Sequence, residues 1–430
     1  MKNTAGIQSD PYKFSRLMYI LEAAFEYFIS LLMIGAYIAK VSTTIGLSDS
    51  ATGILTSLVS LGLAFQIFAL FLANKRPVKR WVSFLHIINQ LCFALVYFVP
   101  FFQGSKSLRI VLFIVFLMMG HLLNNLINSP KTKWFMDLVD DRRRGSFTAT
   151  KEIVSLIGGM LFTFLVSTVI DHFEERGDLY HSFLFCGIGI LVLTVLHTAT
   201  LLFSREKEAP VTDKTSFGAM LGDLLKNKRL MRAILVIAVW NIAHYVTTPF
   251  LGTYQIKELG FSMTFISLLS VLYSVSRALI SKPIGRYGDR ASFLKMFRIC
   301  FLFMALAFGI NIFTTPTNGK ILYTLYYLLY ALGSAGITSG EINLIYECVD
   351  REHRMGALAL KSTLAGVLGF LTTLAVSPLV SHVQKNGNRF LGIPLYAQQL
   401  LSAITLLILI GLLIYVSLLI RRQKDERGEQ

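Results

Sequence analysis

Apolar runs of about 20 residues recur along the whole chain, and they restrict the fold more than any other feature of the sequence. A helix of about that length crosses the hydrocarbon core of a bilayer, which is about 30 Å thick. With 54% hydrophobic and 15% charged residues, the chain also lacks the composition of a soluble enzyme. We predict membrane-spanning segments, numbered 1 to 12, over residues 17–41, 51–73, 81–101, 110–129, 148–170, 183–203, 233–254, 261–280, 296–315, 321–340, 358–380 and 396–420.

Backbone chemistry decides which secondary structure these segments adopt. In lipid every N–H and C=O group has to be satisfied within the protein, which leaves helices and closed barrels. Barrel strands are short and alternate between apolar and polar residues, whereas these runs are long and uniformly apolar. The predicted fold class is therefore all-α, a polytopic membrane protein.

The positions of the basic residues predict the orientation in the membrane. Cytoplasmic loops carry an excess of Lys and Arg, and with a cytoplasmic N terminus 33 of the 41 basic residues lie on that side. The exceptions are Lys40, Lys106, Arg109, Arg176, Lys257, Lys320, Lys385 and Arg389. We expect both termini in the cytoplasm and a location in the plasma membrane. Attraction of basic loops to anionic lipid accounts for the net charge of +16 without a nucleic-acid partner.

A polar stretch divides the chain into two related halves. It runs from Ser204 to Arg229 and carries Pro210 with mixed charges, as linkers do. The loop after span 4 recurs 210 residues later, after span 10, with Asp137, Asp140, Arg144 and Lys151 matching Glu347, Asp350, Arg354 and Lys361. We predict an N-terminal six-helix bundle over residues 1–203, a cytoplasmic linker over 204–230 and a C-terminal six-helix bundle over 231–430.

The segment "GRYGDR" between spans 8 and 9 places Gly285, Asp289 and Arg290 in the spacing Gly-x-x-x-Asp-Arg. With this segment and two parallel six-helix repeats, the chain resembles the major facilitator superfamily (MFS) over nearly its whole length. Ser292 stands where the family usually has a second glycine. The copy of this loop in the first half is degraded, with Asn74 and Lys75 in place of Asp and Arg.

The resemblance implies the MFS fold, in which two pseudo-symmetric six-helix bundles rock about a central cavity. It also implies that the loop carboxylate locks the cytoplasmic side through arginines and the N terminus of span 11, where a helix dipole favours negative charge. When the cytoplasmic side is closed, we expect Lys151 and Lys361 to pair with the repeated loop acids, in a latch of individually weak ion pairs. The predicted gating residues are Gly285, Asp289, Arg290, Asp137, Arg144, Glu347 and Arg354.

Polar residues form stripes along spans 1, 4, 7 and 10. Residues spaced i, i+3, i+4 and i+7 share a helix face, and a polar residue within a span should face the protein interior or a water-filled cavity. The resemblance implies that these four helices line the cavity, although each stripe alone could instead hold neighbouring helices together. The predicted substrate-binding residues are Tyr37, His121, Asn124, Asn125, Asn128, Asn241, His244, Tyr245 and Tyr330.

Coupling to an ion gradient requires a group that changes charge during the transport cycle. Glu26 in span 1 is the leading candidate for proton coupling, because a carboxylate that moves between wet and dry environments binds and releases a proton. Glu22, one turn away, is the second candidate, with the alternative that it snorkels to the interface beside Arg16. We interpret Arg277, near the predicted end of span 8, as a snorkelling side chain.

The predicted function is secondary active transport, coupled to a proton, of a small polar or amphipathic organic solute. Sodium is an alternative coupling ion, because carboxylate and amide oxygens also bind it. Proton-coupled multidrug export is an alternative function, although span 5 lacks the glycine and proline series, and span 4 the arginine, of the family's drug antiporters. A membrane sensor or scaffold that does not transport is the alternative of another class.

The signatures of enzymes do not occur in the sequence. We find no Walker loop, nucleophile elbow, zinc-spaced His/Glu cluster or dinucleotide fingerprint in a plausible context. The cysteines are not clustered as metal ligands and predict no disulfide framework. We therefore expect no catalytic residue, no cofactor and no metal site. The expected partners are a small-molecule substrate and membrane lipid, and we expect a monomer.

Overall fold

Long helices make up almost all of the structure, a computed structural model that describes residues 10–65, 77–140, 144–207, 217–350 and 353–426. Within these ranges ten helices are long and apolar enough to cross a membrane, and a bent pair at the start of the chain makes an eleventh. The prediction of an all-α polytopic fold is confirmed. Predicted span 2, residues 51–73, begins as two short helices, and its residues 66–73 lie outside the described ranges.

The first half begins with a broken span. Helices α1 (Lys13–Leu32) and α2 (Gly35–Thr44) meet at an angle of 46°. Gly35 at the break has a φ of +58°, which glycine adopts readily because it has no Cβ. The further helices of this half are α3 (Asp49–Thr56), α4 (Leu58–Ala64), α5 (Val78–Phe98), α6 (Lys106–Met136), α7 (Arg144–Glu175) and α8 (Leu179–Phe203).

The second half follows a short helix, α9 (Phe217–Lys226), which lies within the predicted linker. Helix α10 (Lys228–Thr247) continues through irregular helical turns to Glu258, including a π-helical segment, Tyr254–Glu258. The remaining elements are α11 (Met263–Ala291), α12 (Phe293–Asn311), α13 (Gly319–Tyr346), α14 (Arg354–Lys385), the antiparallel strands β1 (Arg389–Phe390) and β2 (Ile393–Pro394), and α15 (Ala397–Glu426).

Two helices extend well beyond the predicted span ends. Helix α6 passes through Pro130 to Met136 instead of ending at residue 129, and α11 continues to Ala291 instead of ending at residue 280. Proline removes one backbone hydrogen bond, but a membrane helix tolerates this loss where neighbouring groups satisfy the freed carbonyl. A helix also continues past its apolar stretch when polar side chains face protein or water. Lys131 and Arg277 therefore lie inside helices.

Large apolar side chains cover the outside of the helical bundle. Leu161, Val195, Leu279 and Leu407 are between 68% and 74% exposed. Such side chains would form large apolar patches in water, but they suit contact with lipid tails. The outer surface thus agrees with a multi-pass membrane protein.

The helix ends define two membrane faces. At the face that carries the start of α1, which we call the terminal face, Arg16 donates a hydrogen bond to the Leu138 carbonyl at 3.1 Å. Trp134 donates to the Arg205 carbonyl at 2.9 Å on the same face. We call the other side the opposite face.

Hydrogen bonds between the two halves gather at the opposite face. Asp49, at the start of α3, accepts hydrogen bonds from Lys257 and from Gln384, the latter at 2.6 Å. Asp171 in α7 accepts at 2.7 Å from the backbone N–H groups of Met263 and Thr264, which begin α11. A carboxylate stabilises the N-terminal end of a helix, so Asp171 fastens the second half to the first.

Close helix packing closes the opposite face as well. Gly252 lies so near the break between α1 and α2 that an added Cβ would stand 2.6 Å from the backbone of Gly35. Such a distance is far inside van der Waals contact, so only glycine fits at position 252 without a backbone shift. The two halves are therefore in direct contact at this face.

Candidate functional site

Five ionisable side chains meet inside the first half, among α1, α5, α6 and α8. Glu22, His86, Lys131 and His197 are at most 2% exposed, and the Glu26 side chain is 24% exposed. We call these five residues the charge cluster. Charged groups in the membrane interior are costly and are found where they pair with one another or line a pathway.

Lys131 holds the charge cluster together. Its ammonium donates to Glu22 Oε1 at 2.7 Å, to the Glu26 carboxylate, and to His86 Nε2 at 3.0 Å. The three N–H bonds of the ammonium thus each have an acceptor. Because His86 Nε2 accepts a hydrogen bond, this imidazole is neutral and carries its proton on Nδ1. His197 Nε2 lies 3.0 Å from Glu22 Oε1 and donates to it.

The charge cluster contains two carboxylates and one ammonium. If both imidazoles are neutral, its net charge is that of one carboxylate. Glu22 Oε2 and His86 Nδ1 have no hydrogen-bond partner among the described residues. One bound proton would neutralise the cluster, which is favourable in a low-dielectric interior.

A cavity of about 610 Å³ adjoins the charge cluster. Its wall contains Glu26, Asn124 and Asn128 from the first half, and Tyr273 and Arg277 from α11 in the second half. A second cavity of about 210 Å³ lies toward the opposite face and shares lining residues with the first. Glu26 is thus the member of the charge cluster that lines the larger cavity.

Comparison of the sequence with models of protein families shows which family the chain belongs to. The model described as the Major Facilitator Superfamily matches residues 19–373 and 244–429. The chain belongs to the Major Facilitator Superfamily. It is accordingly a multi-pass membrane transporter and not an enzyme. No curated protein matches the sequence.

Solved structures of other MFS proteins share the fold along almost the full chain. The nucleoside transporter NupG has a TM-score of 0.68 at 18% identity, covering 94% of this chain and 98% of that one. A D-xylose-proton symporter has a TM-score of 0.69 at 13% identity, with 93% and 97% covered. A bacterial homolog of the lysosomal transporter Spinster, inward-facing and unoccupied, has a TM-score of 0.69 at 13% identity, with 95% and 97% covered.

The polar stripe predicted on span 4 of this MFS transporter is divided between two environments. Asn124 and Asn128 line the larger cavity. His121 instead packs edge-on against Phe93, with ring centroids 5.1 Å apart. Asn125 donates to the His121 carbonyl at 2.9 Å and is buried. Two of the four residues are therefore in position to contact a solute.

The candidates on spans 7 and 10 lie outside the lining of both cavities. His244 Nδ1 and the Tyr330 hydroxyl are 2.9 Å apart, and the Tyr245 ring meets His244 edge-on. Asn241 donates to the Ile237 carbonyl of its own helix. These contacts favour the alternative in which the polar groups hold helices together. A substrate-binding role for them stays a prediction.

Tyr37 reaches a different part of the MFS fold. It lines the smaller cavity, and its hydroxyl lies 2.7 Å from the Ser167 hydroxyl. The partner is in α7 of the same half, so this hydrogen bond braces α2 against α7. Its predicted role in substrate binding is also untested.

The structure corrects two interpretations of ionisable residues in the spans. Glu22 does not snorkel to the interface beside Arg16, because it is fully buried against Lys131 and His197. Arg277 does not snorkel either. Since α11 runs on to Ala291, Arg277 lies near the middle of its helix and lines the cavity between the halves.

Three members of the charge cluster were missing from the sequence-based candidates. Lys131 fell two residues beyond the predicted end of span 4 and looked like one more basic loop residue. His86 and His197 lie within predicted spans 3 and 6. The rule that ionisable residues inside a membrane are functional candidates would have found both histidines.

The predicted gating motif is helical rather than a loop. Gly285, Asp289 and Arg290 lie in the last turns of α11, and Ser292 alone separates α11 from α12. Asp289 is exposed and makes no ion pair with the described residues. Its predicted lock is therefore not engaged in this conformation, in which the halves meet at the opposite face.

The other gating candidates lie at helix ends on the terminal face. Asp137 directly follows α6 and Glu347 directly follows α13, as the repeat predicts. Arg354 begins α14 and stacks 4.5 Å over the Tyr346 ring. Arg144 begins α7, and its side chain lies outside the described part of the chain, as do Asn74 and Lys75.

The two lysines expected to pair with the loop acids have other partners. Lys361 forms an ion pair with Glu341 at 3.0 Å, within the second half. Lys151 lies 5.0 Å above the Tyr19 ring. Pairing of the two lysines with the loop acids was expected for a closed cytoplasmic side, so it stays a prediction for that state.

The charge cluster contains ligand types that a metal ion would accept. One ligand atom each from Glu22, His86 and His197 lies within 4.8 Å of the others. The ammonium of Lys131, however, contacts both Glu22 and His86. A second positive charge at this point would be strongly repelled, so the geometry favours the lysine over a metal ion.

Proposed function

We propose that this MFS transporter is a proton-coupled secondary transporter of a small polar or amphipathic organic solute, with Glu26 as the proton-binding residue. One observation carries the proposal: a buried cluster of two carboxylates around one ammonium reaches the cavity wall through Glu26. The other carboxylate, Glu22, is sealed behind it. Protons from the cavity therefore have direct access to Glu26.

The charge balance explains how proton binding would influence the transport cycle. Without a proton, Lys131 is shared between Glu22 and Glu26 and the cluster stays negative. With a proton on Glu26, Lys131 and Glu22 form a neutral pair. Burying a net charge is costly, so the protonated state favours closure of the cavity and the movement of the halves.

The same cluster favours a proton over sodium as coupling ion. Sodium would enter as an additional cation next to the Lys131 ammonium, which already contacts both carboxylates. A proton forms a covalent O–H bond instead and needs no further oxygen ligands. The proton thus neutralises Glu26 without displacing Lys131.

We further propose that the terminal face is cytoplasmic and that the membrane is the plasma membrane. The basic loops and both termini support this orientation through the positive-inside rule. The structure is then a cytoplasm-open state, since the halves meet at the opposite face. Uptake is the direction that we propose, with export as the competing outcome of the test.

A transport assay with a matched control tests the proposal. The solute is first identified by thermal-shift screening and then supplied to proteoliposomes that contain the transporter. E26Q should abolish its accumulation driven by a pH gradient, while exchange of the solute across the membrane persists. E152Q serves as the control, because Glu152 lines the same cavity outside the charge cluster. Unchanged accumulation in E26Q would refute proton coupling at this residue, and net efflux against the solute gradient would identify an exporter.

A further inference from the structure

We propose that the transported solute is an organic anion and that Arg277 binds its carboxylate. This inference rests on the proposed function, because it names the class of solute that shares the cavity with the proton on Glu26. Its starting point is a guanidinium in the cavity wall between the two halves.

Arg277 lies deep in the transporter. It is the fifteenth residue of α11, so at a rise of 1.5 Å per residue it stands about 21 Å from the start of that helix. Thirteen residues lie between it and the last residue of α11, Ala291. Arg277 thus lies in the middle of its helix and not at either end.

The guanidinium has no acidic partner. Among the described residues no carboxylate lies within 4.0 Å of Arg277, and its hydrogen bond to the Tyr273 hydroxyl is long, at 3.5 Å. Neither acid of the cavity wall forms an ion pair with Arg277. Glu26 is paired with Lys131, and Glu152 lies beyond ion-pair distance. A charge in the membrane interior is paired or faces a water-filled cavity. Arg277 faces the cavity, so a counter-charge for it can enter there.

The surroundings of Arg277 suit a carboxylate. A guanidinium offers paired N–H groups that match the two oxygens of a carboxylate. Tyr273, Ser274 and Ser281 from the same helix also line the cavity. The two serine hydroxyls donate to backbone carbonyls of α11, so they can accept hydrogen bonds from further polar groups of the solute. The first half contributes the amides of Asn124 and Asn128 from across the cavity.

The charges of the two sites balance during transport. One proton neutralises Glu26, and one carboxylate neutralises Arg277. In the loaded state neither Glu26 nor Arg277 carries an unpaired charge, which favours closure of the two halves around the cavity. The net movement is one proton with one monovalent anion, and it transfers no charge across the membrane.

Binding of matched acid and amide pairs to the purified full-length protein tests this inference. We would measure thermal stability at neutral pH with lactate, succinate and benzoate, each beside its uncharged amide, and with inorganic phosphate. At least one carboxylate should give a saturable rise in Tm, while its amide gives none. In R277Q the affinity for that acid should fall about 10- to 100-fold, the loss expected for a hydrogen bond to a charged group.

Two further variants serve as controls for R277Q. R286Q removes an exposed arginine of the same helix that does not line the cavity, and it should bind the acid like the wild type. R277K keeps the charge without the paired geometry and should retain part of the affinity, which separates binding from misfolding.

The inference is overturned if the amides stabilise the protein as well as the acids, if no carboxylate stabilises it, or if R277Q binds the acid with unchanged affinity. If inorganic phosphate alone stabilises the protein, the group that Arg277 binds is a phosphate and not a carboxylate. These outcomes test the carboxylate inference separately from the proposed function. If the solute is uncharged, the binding results above overturn the inference, while E26Q still loses proton-driven accumulation as the proposed function predicts.

Discussion

At the scale of single residues, Lys131 is the side chain on which the buried site depends. It contacts Glu22, Glu26 and His86 while being almost fully buried. Removing one partner of a buried ion pair leaves an uncompensated charge, which typically costs about 3–5 kcal/mol. The cluster combines a structural role for Lys131 and Glu22 with an exchangeable position at Glu26.

We predict that K131M destabilises the protein at neutral pH by about 3–5 kcal/mol and that this loss shrinks as the pH falls. Methionine fills a similar volume without charge, so both carboxylates lose their counter-ion, and they regain neutrality when they bind protons. Thermal unfolding in detergent across a pH series measures the effect. K133M, on the same helix but outside the cluster, is the control, and a pH-independent deficit in K131M would speak against the electrostatic origin.

Site residues could be predicted where they stand out from their local sequence, and they were missed where they do not. Glu26 stands in the middle of an apolar run, where a charged residue is conspicuous. Lys131 follows Pro130 and precedes a polar segment, so local composition resembles a loop. Contacts such as that between Glu22 and His197, which are 175 residues apart in sequence, depend on how helices pack and leave no trace in local spacing.

At the scale of helices, the broken first span and the irregular turns after α10 form the closed side of the transporter. Both depart from regular helix where the two halves touch. Gly35 adopts a positive φ at one break, and Gly252 lies against it from the other half. The apolar pattern predicted that these spans exist, but it could not predict the breaks, because they are set by contacts between halves.

We expect G252A to shift the transporter toward a conformation that is open at the opposite face. The added Cβ would stand 2.6 Å from the Gly35 backbone, so the contact cannot close without a backbone shift. Distances between spin labels at the ends of α3 and α14 on that face should lengthen. G189A is the matched control, because a Cβ at Gly189 meets nothing within 4 Å; equal distances in the two variants would contradict the packing argument.

At the scale of the whole molecule, the two halves contact each other at one face and enclose a cavity that contains groups from both. The first half supplies the charge cluster and the second half supplies Arg277. The repeated loop and the "GRYGDR" segment were sufficient to predict the family, which the match over the chain confirms. Which groups face the cavity was only partly predictable, because a periodic stripe does not say which neighbour each residue meets.

The protonation of Glu26 is the central claim, and infrared difference spectroscopy tests it most directly without knowledge of the solute. Between acidic and alkaline pH, the wild type should show a carboxylic-acid C=O band that disappears in E26Q and persists in E152Q. A band that persists unchanged in E26Q would contradict the assignment of Glu26 as the proton-binding residue.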